Sequence, residues 1–203
     1  MGKLNDAMTT ASPQSSAGLT LLGVLVAALL FASILTASFG LVARSTREVG
    51  RGRENFVATN LAREGLELVQ VVRDSNMLQC PPGQANPACP ATSAWTGNLA
   101  GGAPLCADDG EQQLIVDRND PIPGGARVQA WQGSNDQLWL EGQRYQHDAT
   151  GAATAYHRRV TIDCANRAAA ADEHIVITST VTWQSRGEDH AIALRGQLYN
   201  WYQ

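Results

Sequence analysis

The sequence predicts an α+β protein in which a long N-terminal helix packs on an antiparallel β-sheet head. Three observations predict this class: an apolar run over residues 19–42, a helical periodicity behind it, and alternating strand patterns toward the C-terminus. A helix and a sheet that each carry one apolar face are expected to bury those faces against each other.

The composition limits the size and the class of the protein. A chain of 203 residues has room for one modest globular domain with appendages, which excludes a large multidomain enzyme. Hydrophobic residues make up 44% and charged residues only 17%, below the roughly 25% of ordinary soluble domains, which indicates a membrane segment. The net charge of −4 gives no general basic field for nucleic acid.

The apolar run over residues 19–42 contains no charged side chain. As a helix it extends about 36 Å, which is enough to cross a bilayer with some tilt. A secretory signal has a shorter apolar core with a cleavage site behind it, so this segment is expected to stay in the mature protein.

Two signals for the orientation of the span disagree. The arginines behind the span, taken by the positive-inside rule, place the C-terminal part in the cytoplasm. They are Arg44, Arg47, Arg51 and Arg53. An even set of four cysteines instead indicates an oxidising compartment. The arginines themselves are interpreted equally well as ligands for lipid headgroups or acidic neighbours and as a solvated stretch of helix.

The start of the apolar run carries a resemblance to a known family. The stretch SSAGLTLLGVLVAALL has a short polar leader that ends in Gly18, then Thr20 in second place, then an aliphatic helix. It resembles the N-terminus of type IV prepilins. The resemblance implies cleavage after Gly18 by a prepilin peptidase, methylation of the new amino terminus at Leu19, and a head exported from the cytoplasm.

One position departs from the family pattern. Most pilins carry Glu five residues into the mature chain, where this sequence has Gly23. In the family that Glu compensates the terminal amine of a neighbouring subunit, because an unpaired ammonium is costly in a filament core of low dielectric constant. The resemblance therefore implies a minor pilin or pseudopilin at or near the filament tip.

A second helical segment follows the apolar run. Apolar positions recur there at spacings of four, four, three and four, which predicts one buried face on an amphipathic helix that ends near Asp74 and is loosened at Gly50 and Gly52. These positions are Val57, Leu61, Gly65, Leu68 and Val72. Residues 58–76 and the C-terminal stretch VTWQSRGEDHAIALRGQLYNWYQ resemble pilin-like proteins of candidate-phylum bacteria.

Residues 75–112 are rich in Pro, Gly, Asn and Ala and show no periodicity, which predicts a long loop that disulfides hold. The favoured pairs are Cys80 with Cys89 and Cys106 with Cys164, and the other two connectivities stay open. Zinc is disfavoured because no Cys-x-x-Cys or His-x3–5-His spacing occurs. Trp95 is the aromatic side chain of the loop that is expected to be exposed.

Alternating patterns predict a meander of antiparallel strands behind the loop. The predicted strands are residues 114–117, 126–132, 138–140, 144–146, 159–164, 175–183 and 192–199, with turns at residues 141–143 and 186–189. The predicted organisation is a leader (1–18), a transmembrane or filament-core helix (19–42), an amphipathic helix (43–74), a loop (75–112) and a sheet head (113–203).

Other candidate sites favour ordinary structural interpretations. Two acidic clusters are interpreted as solvated turns rather than calcium sites, and they comprise Asp108, Asp109 and Glu111, and Asp117, Asn119 and Asp120. Strand aromatics are expected to serve the core or its edges rather than a stacking surface. No nucleotide, dinucleotide, protease or hydrolase motif occurs, so neither enzyme activity nor a cofactor is expected. From Ser75 on, acidic side chains outnumber arginines 13 to 8, which disfavours a nucleic-acid site.

The sequence therefore predicts a type IV pilus subunit that acts in adhesion, motility or DNA uptake. Before assembly it is expected to be a single-pass membrane protein with its head outside the cytoplasm, and afterwards part of an extracellular filament. Its expected partners are lipid, the prepilin peptidase, the assembly platform, and other pilins through residues 19–42. The alternatives are a pseudopilin of a type II-like secretion or competence system and a membrane-anchored binding domain that does not polymerise.

Overall fold

The computed structural model describes residues 17–79, 94–96, 103–119, 125–166 and 173–200. Within these ranges the chain forms one long helix and one seven-stranded antiparallel sheet, which is the predicted α+β class. The elements are α1 (Ala17–Gln79), a 3₁₀ turn (Ala94–Thr96), β1 (Glu111–Asn119), β2 (Gly125–Ala130), β3 (Gln137–Glu141), β4 (Arg144–Gln146), β5 (Ala152–Asp163), β6 (His174–Ser185) and β7 (Glu188–Tyr199). Contacts divide the chain into two compact units after Arg51.

The helix α1 is longer and more regular than the periodicity predicts. It continues through Gly50 and Gly52 without the expected loosening, because each interior glycine costs only about 0.5–1 kcal/mol relative to alanine. It ends at Gln79 rather than near Asp74, so the start of the predicted loop is helical. The added turn is stabilised by burial, since Asn76 and Met77 are 2% and 4% exposed.

The sheet is built around β5 and β6. One edge of β5 pairs with β6, and β6 pairs with β7 on its other side. The opposite edge of β5 is shared by two strands, because β1 pairs with residues 160–163 and β3 with residues 152–157. β2 flanks β1 and β4 flanks β3. β5 starts at Ala152, earlier than predicted, and its first half pairs with β3. The sequence did not indicate this half because small and polar residues alternate only weakly there.

A two-residue turn joins β6 to β7. Arg186 and Gly187 both have positive φ, at 55° and 83°, which is the backbone of a type I′ turn and matches the twist of an antiparallel hairpin. Ser185 and Glu188 face each other directly across this turn. Glu188 and Asp189, expected in the turn, are therefore the first residues of β7.

Within the second unit, the predicted apolar stripe of α1 packs on one face of the sheet. Leu61, Leu68 and Val72 are buried among inward-facing strand residues. Gly65 lies at the closest approach, where a Cβ atom would collide with the Ser179 hydroxyl and stand 3.3 Å from Cδ of Arg158. Only glycine fits this point without a shift of its neighbours.

A disulfide bond links Cys106, which precedes β1, to Cys164 at the end of β5. Both residues belong to the larger hydrophobic cluster, which also contains Trp95. This pair is the one predicted from the sequence. Cys80 and Cys89 lie outside the described residues, so their pairing stays a prediction.

Trp95 is buried and not exposed as predicted. Its side chain is 5% exposed, and its carbonyl oxygen accepts a hydrogen bond of 3.3 Å from Nδ2 of Asn76. The next carbonyl, of Thr96, accepts the backbone N–H of Cys106 at 3.2 Å. The 3₁₀ turn is therefore held between the end of α1 and the segment of the disulfide.

Candidate functional site

The first unit contains the apolar segment of α1, and its side chains are exposed from Thr20 to Val49. Its large hydrophobic residues are between 47% and 72% exposed, as at Leu35 and Phe39. A helix with this length and composition is compatible with a single membrane span. In water, such a continuous apolar surface is far larger than soluble monomers normally expose.

Several hydroxyl groups in this segment are satisfied within the helix. The hydroxyls of Ser33, Thr36 and Ser38 donate to carbonyl oxygens three or four residues earlier, at 2.7–2.8 Å. Thr46 does the same toward Val42 at 2.7 Å. These side chains therefore need no water, which suits a helix placed in an apolar environment.

The residues of the proposed processing site lie at the start of the described chain. The bond between Gly18 and Leu19 falls in the first turn of α1, and residues 1–16 of the leader lie outside the described residues. Gly23 is an interior helical position, and a Cβ atom there would have no neighbour within 4 Å. Steric demand inside the chain therefore does not explain this glycine.

In the second unit, Arg158 is the centre of a buried polar network, and its side chain is 1% exposed. Nη1 donates to the Glu64 carboxylate at 2.8 Å and to the Leu61 carbonyl at 3.4 Å. Nη2 donates to the Val116 carbonyl at 2.9 Å and to the Asp117 carboxylate at 3.4 Å. One guanidinium group thus joins α1, β1 and β5.

Asp117 and His147 extend this network. Oδ1 of Asp117 lies 2.7 Å from Nδ1 of His147, and Oδ2 accepts the backbone N–H of His147 at 3.1 Å. Nε2 of His147 lies 3.0 Å from the carbonyl oxygen of Arg158. Both ring nitrogens of His147 therefore lie within hydrogen-bond distance of an oxygen atom, one on a side chain and one on the backbone.

The network also sets the charge state of Asp117. Burial by itself would raise the pKa of this carboxyl group. The hydrogen bonds and positive charge of His147, with the charge of Arg158, outweigh that effect and hold the pKa below its ordinary value. Asp117 is therefore an ionised, internally paired group.

A cavity of about 230 Å³ adjoins the network, and Glu64, Asp117 and Tyr145 are among its lining residues. On its wall, Nη2 of Arg127 lies 2.5 Å from the Asp148 carboxylate and 3.8 Å from that of Asp117. Acidic and basic groups thus neutralise each other around the cavity. In the described part of the chain, no three His, Cys, Asp or Glu side chains are grouped to hold a metal ion.

The buried network of Arg158 was not predicted from the sequence. Asp117 was expected in a solvated turn, but it is 5% exposed on a strand because its charge is paired internally. Asp120 of the same predicted cluster lies outside the described residues. Arg158 had a detectable signal, since it precedes Val160 by two residues and therefore shares its inward face. His147 offered none, because its partner is 30 residues away.

The aromatic side chains follow the structural interpretation where they are described. Trp183 is 5% exposed and belongs to the smaller hydrophobic cluster. The ring of Trp131 is covered by the guanidinium of Arg159, whose carbon lies 4.4 Å from the ring centroid. Trp201 and Tyr202 lie outside the described residues.

Comparison with known proteins returned no match to a family model, to a curated protein or to a solved structure. The features of the chain that bear on its function are therefore the apolar segment and the buried network.

Proposed function

We propose that this protein is a structural subunit of an extracellular filament of the type IV pilus class, most simply a minor pilin. In this proposal the chain is stored in the membrane through residues 19–42 and cleaved after Gly18. It then joins a filament in which the same helix packs against those of other subunits. Its head stays outside the cytoplasm and carries no enzymatic activity.

The observation that carries the proposal is the exposed apolar segment with internally satisfied hydroxyls. Such a segment needs an apolar environment at every stage of the protein's life. A bilayer provides it first, and neighbouring helices of the same kind provide it after extraction. Gly23 and Gly40 are consistent with close helix packing, because a Cβ atom at either position meets nothing within the chain.

The buried network supports the same proposal from the side of the head. A filament subunit must transmit load between its helix and its globular part. Arg158 bonds to α1 through Glu64 and Leu61 and to the sheet through Val116 and Asp117. The Arg158 side chain is 1% exposed, so moving α1 away from the sheet would take the Glu64 and Leu61 partners from a buried guanidinium group, and this cost opposes separation.

The deciding experiment is mass spectrometry of the protein from its own cells. We expect a chain that begins at Leu19, with or without one methyl group. A Gly18→Leu variant should accumulate with its leader intact. Gly23→Ala is the matched control, since its new methyl group meets nothing in the chain, and it should be cleaved normally.

An intact leader in the wild-type protein would contradict the proposal and favour the membrane-anchored domain that does not polymerise. Purified fibres provide a second test, because a pilin must be present in them. A short periplasmic fibre in place of a surface pilus would instead identify a pseudopilin of a secretion or competence system.

The position within the filament depends on Gly23. Without a carboxylate at this place, the subunit cannot compensate the amine of another subunit, so we place it at the tip. Immunogold labelling should then mark filament ends, and Gly23→Glu should move label along the shaft. Label along the whole shaft with the native Gly23 protein would contradict the tip position while leaving the pilin proposal intact.

A further inference from the structure

β7 is a long edge strand with an unusually regular free side. It pairs with β6 over all of Glu188–Tyr199 without a register shift, and no other described strand pairs with it. Soluble proteins usually protect such edges with proline, a bulge or a series of charges. β7 has no proline, and residues 190–194 carry no acidic or basic side chain apart from His190.

The turn fixes which backbone groups face outward. Ser185 and Glu188 close the two-residue turn, so the N–H and C=O of Glu188 point toward β6. Because direction alternates along a strand, the groups of Asp189, Ala191, Ala193, Arg195 and Gln197 point away from the sheet. The same alternation makes the Tyr199 carbonyl face outward.

At the C-terminal end of β7 the free edge has a hydrogen-bond partner within the chain, whereas the outward backbone groups of residues 189–197 have none among the described residues. The outward carbonyl of Tyr199 accepts a hydrogen bond of 3.4 Å from Nη1 of Arg73. No hydrogen bond between described residues reaches the outward backbone groups of residues 189–197. The side chain of Arg195 is exposed and has no hydrogen bond or ion pair in the described chain.

The open stretch is complementary to a second copy of itself. Two such strands can pair antiparallel with Ile192 of one opposite Ile192 of the other. The outward N–H and C=O groups of each strand then face those of its partner, as the hydrogen bonds of an antiparallel sheet require. In this register, Asp189 of each strand lies opposite Arg195 of the other strand. Ala191 of each strand likewise lies opposite Ala193 of the other. Asp189 and Arg195 lie on the same face of the sheet, so each pair joins opposite charges at cross-strand distance.

We propose that two heads associate through antiparallel pairing of residues 188–196 of β7, centred on Ile192. The occupant of the edge is a second copy of this chain, which supplies the missing backbone partners and the counter-ion of Arg195. Ala191 and Ala193 face each other across the two strands, so only small side chains meet beside the charged pairs. The association goes beyond the proposed function, because it joins heads laterally and does not involve the apolar helix.

Charge reversal tests the register. With the full chain in detergent micelles, sedimentation should show a dimer, and D189R or R195D should raise its dissociation constant about tenfold or more, because like charges then face each other twice. The double variant D189R/R195D should restore the wild-type value. A dimer that survives the single reversals is formed by another surface, and a chain monomeric at all concentrations overturns the inference.

Proline substitution tests the backbone ladder with a matched control. A193P removes an outward N–H inside the paired stretch, whereas Q197P removes the equivalent group outside it. A193P should abolish the dimer and Q197P should retain it, with similar circular dichroism for both monomers. Equal behaviour of the two variants would contradict the pairing. Leader cleavage is unaffected by either result, so this test is independent of the pilin proposal.

Discussion

The two parts of α1 share a continuous helical backbone but differ in what surrounds their side chains. Residues 20–49 are exposed throughout, and their hydroxyls bond to the helix itself. From Ala58 on, one face is buried against the sheet and held by charged and polar contacts. The same backbone structure is therefore combined with two different demands: residues 20–49 need an apolar environment outside the chain, whereas the buried face behind them is covered by the chain's own sheet.

The apolar segment and the head also accommodate polar atoms in different ways. In the apolar segment, hydroxyl groups donate hydrogen bonds to carbonyl oxygens of the same helix, so they need neither water nor another chain as a partner. The head instead buries full charges and pairs them, which makes it sensitive to the loss of any one partner. Four tests of this contrast follow, from the largest expected effect to the smallest.

The first substitution removes the centre of the network. Arg158→Ala should lower the free energy of unfolding of the head by about 3–5 kcal/mol, because the buried Val116 carbonyl and Asp117 carboxylate then both lose the guanidinium that bonds to them. Arg159→Ala is the matched control on the outer face of the same strand and should cost less than about 1 kcal/mol. Urea unfolding followed by tryptophan fluorescence measures both. Equal losses would contradict a special role of Arg158.

The second substitution changes the environment that the apolar segment needs. Leu30→Arg places a charge near the middle of residues 19–42 and should cost about 3 kcal/mol in membrane insertion. Leu30→Ile keeps the side chain apolar and should have no effect. Carbonate extraction of membranes separates integral from soluble protein. An arginine variant that stays fully integral would contradict the assignment of this segment as the span.

The third test substitutes alanine for two glycines of α1, and the two changes in stability are expected to have opposite signs. Gly65→Ala should destabilise the head by about 1–3 kcal/mol, because its methyl group collides with Ser179. Gly52→Ala should stabilise the helix by about 0.5–1 kcal/mol, since its methyl group meets nothing within 4 Å. Thermal unfolding of the two variants measures both. A stabilising effect of Gly65→Ala would show that Gly65 is not a close-packing position.

The smallest effect is the pH dependence that Asp117 contributes. The pKa of its carboxyl group is lower in the folded state than the ordinary value of about 3.9, so the stability it provides is complete above about pH 5 and is lost as the pH falls through the folded-state pKa. The stability difference between the wild type and Asp117→Asn should therefore be constant near neutrality and narrow in acid. A difference that stays constant down to about pH 2 would contradict this.

Local patterns were sufficient to predict the helices and strands. The stripe around Leu61 and Leu68 and the alternation around Val160 and Ile177 recur over a few residues, and each identifies a buried face. The disulfide between Cys106 and Cys164 was also the favoured pair. Element ends were less accurate, since they depend on tertiary contacts such as the one between Asn76 and Trp95.

Local patterns could not predict the buried network, because its members are far apart in the sequence. Glu64 and Arg158 are 94 residues apart, and Asp117 and Arg158 are 41 apart. Apart from the inward strand position of Arg158, nothing in the chain near these residues distinguishes a charge that is paired inside from one that stays in water. The processing site at Gly18 rests on the prepilin resemblance and stays a prediction.

The bond between Cys106 and Cys164 has a mechanical consequence. It closes a covalent loop with a sequence separation of 58 residues, which contains β1 through β5. If mechanical tension unfolds the head, this loop stays closed, so about 200 Å of extended polypeptide does not contribute to its length. A stretched head therefore lengthens far less than its chain length allows, and the inner strands remain near one another when the tension ends.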